Sequence, residues 1–314
     1  MGAVLAALLP IVVLIALGHQ LRARRWVDDG FWPGAERVTY YILLPALLVG
    51  GLARARLTGL PVGAMAAVLA LGVTAVAVGI ALTSRWLLNP AMRLDGPGLT
   101  SLFQCSLRPN TYVGLAIASG LWGGEGVALT AVCLATVIPL ANVLCVMAML
   151  RWAASPQDGG FRWKAVILPI LRNPLILSCL VGIGLNLGGI GLAPPLDAVL
   201  RILAGASLPL GLLAVGAGLS LHAAKTAGPA VLLSILLKMA LLPLVVWGLG
   251  VTADLGGIPL AICILYTGLP AAPASYVLAR QMGGDAPLVA TMLSVQTLAA
   301  ALILPAWIWL VGLN

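Results

Sequence analysis

Charge is what this sequence has least of. Asp, Glu, Lys and Arg make up 8% of its 314 residues, while 61% are hydrophobic and the mean hydropathy is +1.11; soluble domains run at about 25% charged. So little charge excludes a water-soluble fold, because that much apolar surface has nowhere to hide from water. Acids are scarcer than bases, nine against seventeen. No carboxylate falls deep inside an apolar run: Glu125, Asp197, Asp254 and Asp285 all sit near the ends of runs, which argues against the usual buried Asp or Glu proton relay. The only histidines, His19 and His222, lie near helix ends, and neither HExxH nor GxSxG occurs. An intramembrane hydrolase would need such a cluster, so no enzyme, no metal and no cofactor are expected. Cys105, Cys133, Cys145, Cys179 and Cys263 lie in apolar segments without CxxC spacing and read as small core residues.

What is present is a series of apolar runs of the length that crosses a hydrocarbon core of about 30 Å. They lie near 2–20, 35–53, 61–83, 98–118, 124–150, 165–187, 197–220, 227–250, 257–280 and 287–312. The first lacks a basic leader region and a small-residue cleavage pattern, and reads as a retained helix. The one substantial hydrophilic connector, Arg151 to Lys164, divides the chain into 1–150 and 165–314, five spans each. The fold expected is all-α and integral to the membrane, with ten transmembrane helices. One set of alternate loops holds eleven cations, among them Arg22, Arg37, Arg85, Arg151 and Lys164, and the opposite set holds Arg54 and Arg56. Basic loops stay cytoplasmic, so the 151–164 linker belongs inside and both termini outside a cell (inner) membrane. The net charge of +8 is then a topology signal, and nucleic acid is not needed to explain it.

The two halves resemble one another. At an offset of 164 residues Pro10 meets Pro174, Pro45 meets Pro209, Pro109 meets Pro273 and Gly18 meets Gly182. Five spans per half force the second copy to enter from the opposite side, giving two inverted five-helix repeats, an arrangement common in secondary transporters.

Pro109 lies within the fourth span, and Pro270 and Pro273 within the ninth. Proline has no amide donor and clashes with the carbonyl four residues back, so helices 4 and 9 are expected to be broken crossover helices. Lipid cannot satisfy the freed backbone, which places both breaks against protein or a water-filled cavity. Asn110-Thr111 and Ala274-Ser275 would open the second half-helices, whose positive ends favour anions. Asn110 is the leading substrate contact, with the Thr111 and Ser275 hydroxyls beside it; the plainer role for Asn110 is a cap on the broken backbone. Arg108 at the break and Lys238 in the middle of the eighth span are cations at a depth that is costly unless they are paired or hydrated. With no deep carboxylate to pair them, an anionic substrate is the missing counter-charge, although backbone carbonyls could hold Lys238 instead. Gln104, Asn142, Gln296 and Thr297 could touch a substrate or ion, or could join helices. Without an acidic relay, the driving force expected is the anion gradient and the membrane potential, about 2.3 kcal/mol per net charge per 100 mV.

Five stretches, Leu107-Arg108-Pro109-Asn110-Thr111-Tyr112, Ile138-Pro139-Leu140-Ala141-Asn142-Val143, Asn173-Pro174-Leu175-Ile176, Leu208-Pro209-Leu210-Gly211-Leu212 and Gly268-Leu269-Pro270-Ala271-Ala272-Pro273-Ala274, together resemble the auxin efflux carrier family in its shorter prokaryotic form. The resemblance covers nearly the whole chain. It implies a scaffold unit from helices 1, 2, 6 and 7, a transport unit from helices 3–5 and 8–10, and a substrate site where helices 4 and 9 cross, with an asparagine matching Asn110 on a substrate carboxylate. It also implies a small organic anion as substrate, auxin-like or a dicarboxylate such as malate or malonate. Pro109 stands where many prokaryotic relatives have an aromatic or aliphatic residue. The expected partners are this substrate, the lipid bilayer and at most a second copy in a homodimer. An ion-coupled carrier of another metabolite and a channel are the alternatives.

The orientation can be checked directly. A single cysteine at Gln157 in a cysteine-free background should be reached by maleimide only from the cytoplasmic side; labelling from outside would overturn both the topology and the inverted repeat.

Overall fold

The computed structural model describes residues 2–55, 59–88, 92, 94–153, 171–220 and 228–311. The described residues form helices only: α1 Gly2–Ala23, α2 Phe31–Arg54, α3 Val62–Leu87, α4 Gly96–Leu107, α5 Thr111–Trp152, α6 Pro174–Leu187, α7 Pro194–Ala217, α8 Pro229–Thr252, α9 Gly257–Thr267, α10 Ala274–Met282 and α11 Ala286–Leu310. Six of them, α2, α3, α5, α7, α8 and α11, are long and apolar enough to cross a membrane, and the chain is a multi-pass membrane protein. Most of the 151–164 connector, the start of the sixth run, His222 and Lys225 lie outside the described residues.

At 1.5 Å per residue, the 42 residues of α5 would extend about 63 Å as one rod, twice the hydrocarbon thickness. The chain avoids this at Gly123, whose φ of 55° and ψ of −134° belong to a region that only glycine enters freely. The break falls between the apolar runs 98–118 and 124–150.

Two π-helical turns, Thr39–Leu43 and Leu236–Leu241, went unseen in the sequence. Each directly precedes a Leu-Pro pair, Leu44-Pro45 and Leu242-Pro243. A wider turn lets the proline ring clear the carbonyl it would otherwise strike, and helical backbone continues on its far side. The Met239 carbonyl, four residues before Pro243, accepts a hydrogen bond from the Trp307 indole at 2.8 Å.

α1 packs chiefly on α7, and α2 on α6 and α7; α3, α4 and α5 pack with α8, α9 and α11. Glycine brings the first group into backbone contact. A Cβ on Gly18 would fall on the Leu213 carbonyl, and one on Gly216 would fall on the Ile15 carbonyl. A Cβ on Gly182 would sit 3.1 Å from the Val49 carbonyl oxygen and 2.8 Å from Leu52 Cβ. Residues 18 and 182, like 49 and 213, differ by 164, so the contact between α1 and α7 recurs between α6 and α2 with the halves exchanged. The Asn186 amide tightens the second seam by donating to the Leu52, Ala53 and Ala55 carbonyls at 2.6–3.1 Å.

These contacts leave no room for a methyl group. Gly18→Ala is expected to destabilise the purified protein by about 1–3 kcal/mol through overpacking, whereas Gly79→Ala, where a Cβ meets nothing within 4 Å, should leave the melting temperature unchanged or slightly raised. Thermal unfolding of the two variants side by side checks the seam.

Candidate functional site: two broken helices stitched together

α4 starts cleanly, with the Asp95 carboxylate accepting from Gly98 N at 2.7 Å. It ends at Leu107 because Pro109 can neither donate nor let its predecessor stay helical, and Arg108 is extended at φ −83° and ψ 112°. α5 restarts at Thr111 with Asn110 as its N-cap. On the other side α9 ends at Thr267 and α10 begins at Ala274 after Pro273. Both restarts match the sequence expectation.

The interrupted segments pair with each other. Pro109 and Ala271 form an antiparallel bridge. Asn110 N donates to the Pro270 carbonyl at 2.8 Å, and Ala272 N donates to the Arg108 carbonyl at 3.0 Å. Each break thus supplies the hydrogen bonds that the other lost, in a place where lipid could supply none.

Side chains from neighbouring helices complete the crossing. Gln296 of α11 accepts from Ala271 N at 2.8 Å through Oε1, while its Nε2 donates to the Cys105 carbonyl at 3.2 Å and to Ser234 Oγ of α8 at 3.1 Å. Cys105 is four residues before Pro109, so its carbonyl is the one that the proline deprives of a partner. Lys238 Nζ donates to the Leu107 carbonyl at 3.2 Å. Gln296 and Lys238 are fully buried and Asn110 nearly so.

The candidates from the sequence therefore separate. Asn110, Lys238, Gln296, Pro109 and Pro270 meet at the crossing. Asn110 Oδ1 accepts from Tyr112 N and Val113 N at 3.1 and 3.4 Å, so the oxygen caps α5; the amide N–H groups take no part in the cap. Thr111 and Arg108 are half-buried, Ser275 is buried in the first turn of α10, and Asn142 is half-buried in the second segment of α5, outside the hydrogen bonds described for the crossing. Pro273 is the N-cap of α10. Ser234 was missed in the sequence; its place one turn before Lys238 on the same helix was the available signal.

Among the described residues, three buried side chains in the flanking turns have no hydrogen-bond partner: both amide atoms of Gln104 in the last turns of α4, the Tyr266 hydroxyl in the last turn of α9, and Ser275 Oγ. Buried and unpaired, such groups cost about 1–3 kcal/mol each, which marks them as atoms a polar ligand could satisfy if the helices part. Beside the crossing, a cavity of about 250 Å³ runs between α1, α5 and α11, walled by Ile11, Val113, Ile117, Pro270 and Thr297, with His19 and Gln20 also on its lining. No cluster of His, Cys, Asp or Glu able to hold a metal occurs among the described residues.

Gln296 is the side chain on which most of the stitching converges. Gln296→Ala should destabilise the fold by at least about 1–3 kcal/mol, since it leaves the Ala271 amide and the Cys105 carbonyl buried and unpaired. Gln296→Glu keeps the acceptor for Ala271 but sets a carboxylate oxygen against the Cys105 carbonyl in a fully buried place. At neutral pH it should therefore lose at least as much, and it should regain stability relative to the parent as the carboxyl is protonated; melting temperatures across pH check this.

Residues 162–308 match the family described as membrane transport protein. Over 302 residues the chain is 23% identical to an uncharacterized transporter of Methanothermobacter thermautotrophicus, and the match covers 95% of each chain.

Proposed function

We propose that this chain is a secondary carrier of a small organic anion, built as two inverted five-helix repeats and working by alternating access at the crossing. The observation that carries the reading is the pair of proline-broken helices, antiparallel at Pro109 and Ala271, with the starts of α5 and α10 beside them. Half-helix starts of this kind hold anionic groups in transporters with inverted repeats. The reciprocal glycine contacts of α1 with α7 and α6 with α2 support the inverted layout. They fit a scaffold of α1, α2, α6 and α7 against which the remaining helices move.

An anion is favoured by charge. The ion pairs among the described residues are Arg22–Asp29, Arg54–Asp197 and Arg201–Asp197, and none of them engages Arg108 or Lys238. The substrate carboxylate would lie against the Asn110 amide, the Thr111 and Ser275 hydroxyls and Arg108, with Gln104 within the same shell. The apolar wall of the neighbouring cavity, Ile11, Val113 and Ile117, suits an anion with an apolar body better than a compact dicarboxylate. Family resemblance and the matched membrane transport region support a carrier in the cell membrane with no enzymatic step.

The test is flux of mono- and dicarboxylates in proteoliposomes, with trans-stimulation as the mark of a carrier and its absence the mark of a channel. Because Asn110 also caps α5, Asn110→Ala removes a cap worth about 1 kcal/mol along with the amide donor. Asn110→Asp keeps the cap oxygen and removes the donor. It should weaken substrate affinity roughly ten- to a hundredfold or more, from a lost charged hydrogen bond of about 1.5–3 kcal/mol, with little loss of stability. Parent-like affinity in Asn110→Asp would place the site elsewhere.

A further inference from the structure

Lys238 has a geometry that the substrate alone does not explain. It sits in the π turn Leu236–Leu241 of α8, fully buried. Its ammonium lies 3.2 Å from the Leu107 carbonyl, the last residue of α4. A helix C-terminus carries partial negative charge and free carbonyls, and a helix broken inside a membrane adds carbonyls that its proline has left unpaired. Among the described residues, the titratable groups whose charge Lys238 feels are the Cys105 and Cys145 thiols, and no carboxylate forms an ion pair with it. A carbonyl-rich half-helix end is the ligand set that binds coupling sodium ions in other carriers, and a lysine ammonium presents only donors to it. The same half-turn is tied from the other side by Gln296, which reaches both the Cys105 carbonyl and Ser234.

We propose that Lys238 is a tethered cation: its ammonium fills, at the end of α4, the place that a bound alkali cation would otherwise take, so the crossing needs no free coupling cation. The consequence for transport rests on the carrier reading; occupancy of the site does not. The π turn before Pro243 is the structural reason that the side chain arrives there, since one residue more or fewer in that turn would rotate Lys238 by about 100° around the helix.

Truncation that leaves room should expose the site. In thermal unfolding of the full-length protein in detergent, the parent is expected to melt at the same temperature in sodium and choline chloride. Lys238→Ala should melt lower. It should recover saturably with n-propylammonium, which restores the missing chain and charge, and in part with sodium, but not with n-propanol. Recovery with n-propanol equal to that with n-propylammonium would reduce Lys238 to an apolar filler, and parent-like stability of Lys238→Met would show the charge to be dispensable; either overturns the proposal. Should Lys238→Ala not yield folded protein, equilibrium binding of radiolabelled sodium to the parent decides: no saturable binding supports the tethered cation, and saturable binding overturns it. None of these readouts needs a transported substrate, so a failed flux assay would count against the carrier reading while leaving this result standing.

Discussion

A proline inside a lipid-embedded helix leaves a carbonyl with no partner, and the hydrocarbon around it offers none. The interior of this protein is organised by that shortage. The Cys105 carbonyl takes a donor from Gln296, Arg108 from the Ala272 amide, Pro270 from the Asn110 amide and Met239 from the Trp307 indole. Each donor comes from a different helix than its acceptor, so a local defect becomes a tertiary joint. Two breaks placed face to face are cheaper than either alone, because each exposes an amide that the other can use.

The joint contrasts with the way α1, α2, α6 and α7 meet. There, Gly18, Gly182 and Gly216 set backbone on backbone with no space for a side chain, the close approach by which small residues hold helices together in membranes without a hydrophobic driving force. Such seams are closely packed. The crossing, by contrast, is held by a few hydrogen bonds through Gln296 and Lys238 and is flanked by unpaired Gln104 and Ser275 and by an open cavity. The backbone seam and the polar, incompletely satisfied joint thus differ in what holds them.

The polarity of the joint also bears on coupling. No carboxylate falls deep in an apolar run to serve as the common acidic relay, and on the carrier reading the Leu107 carbonyl, already met by Lys238, leaves less need of a free cation.

Much of the arrangement was legible before any coordinates. Hydropathy identified the solvent as lipid, and Pro109, Pro270 and Pro273 located the breaks, because a missing amide donor acts on its own helix regardless of surroundings. The restarts at Thr111 and Ala274 followed from the same local chemistry. The π turns escaped because a Leu-Pro pair says only that a helix must adapt, and a kink and a wider turn are equally available locally. The Asn110 cap, a contact within three residues, was already the plainer of its two readings; what only the tertiary structure decided was that Gln296 and Lys238 turn onto backbone carbonyls of another helix and that Ser234 joins them. Those choices depend on which side chains come within about 3 Å of a partner on another helix, and that proximity is set by packing between segments 62 to 191 residues apart.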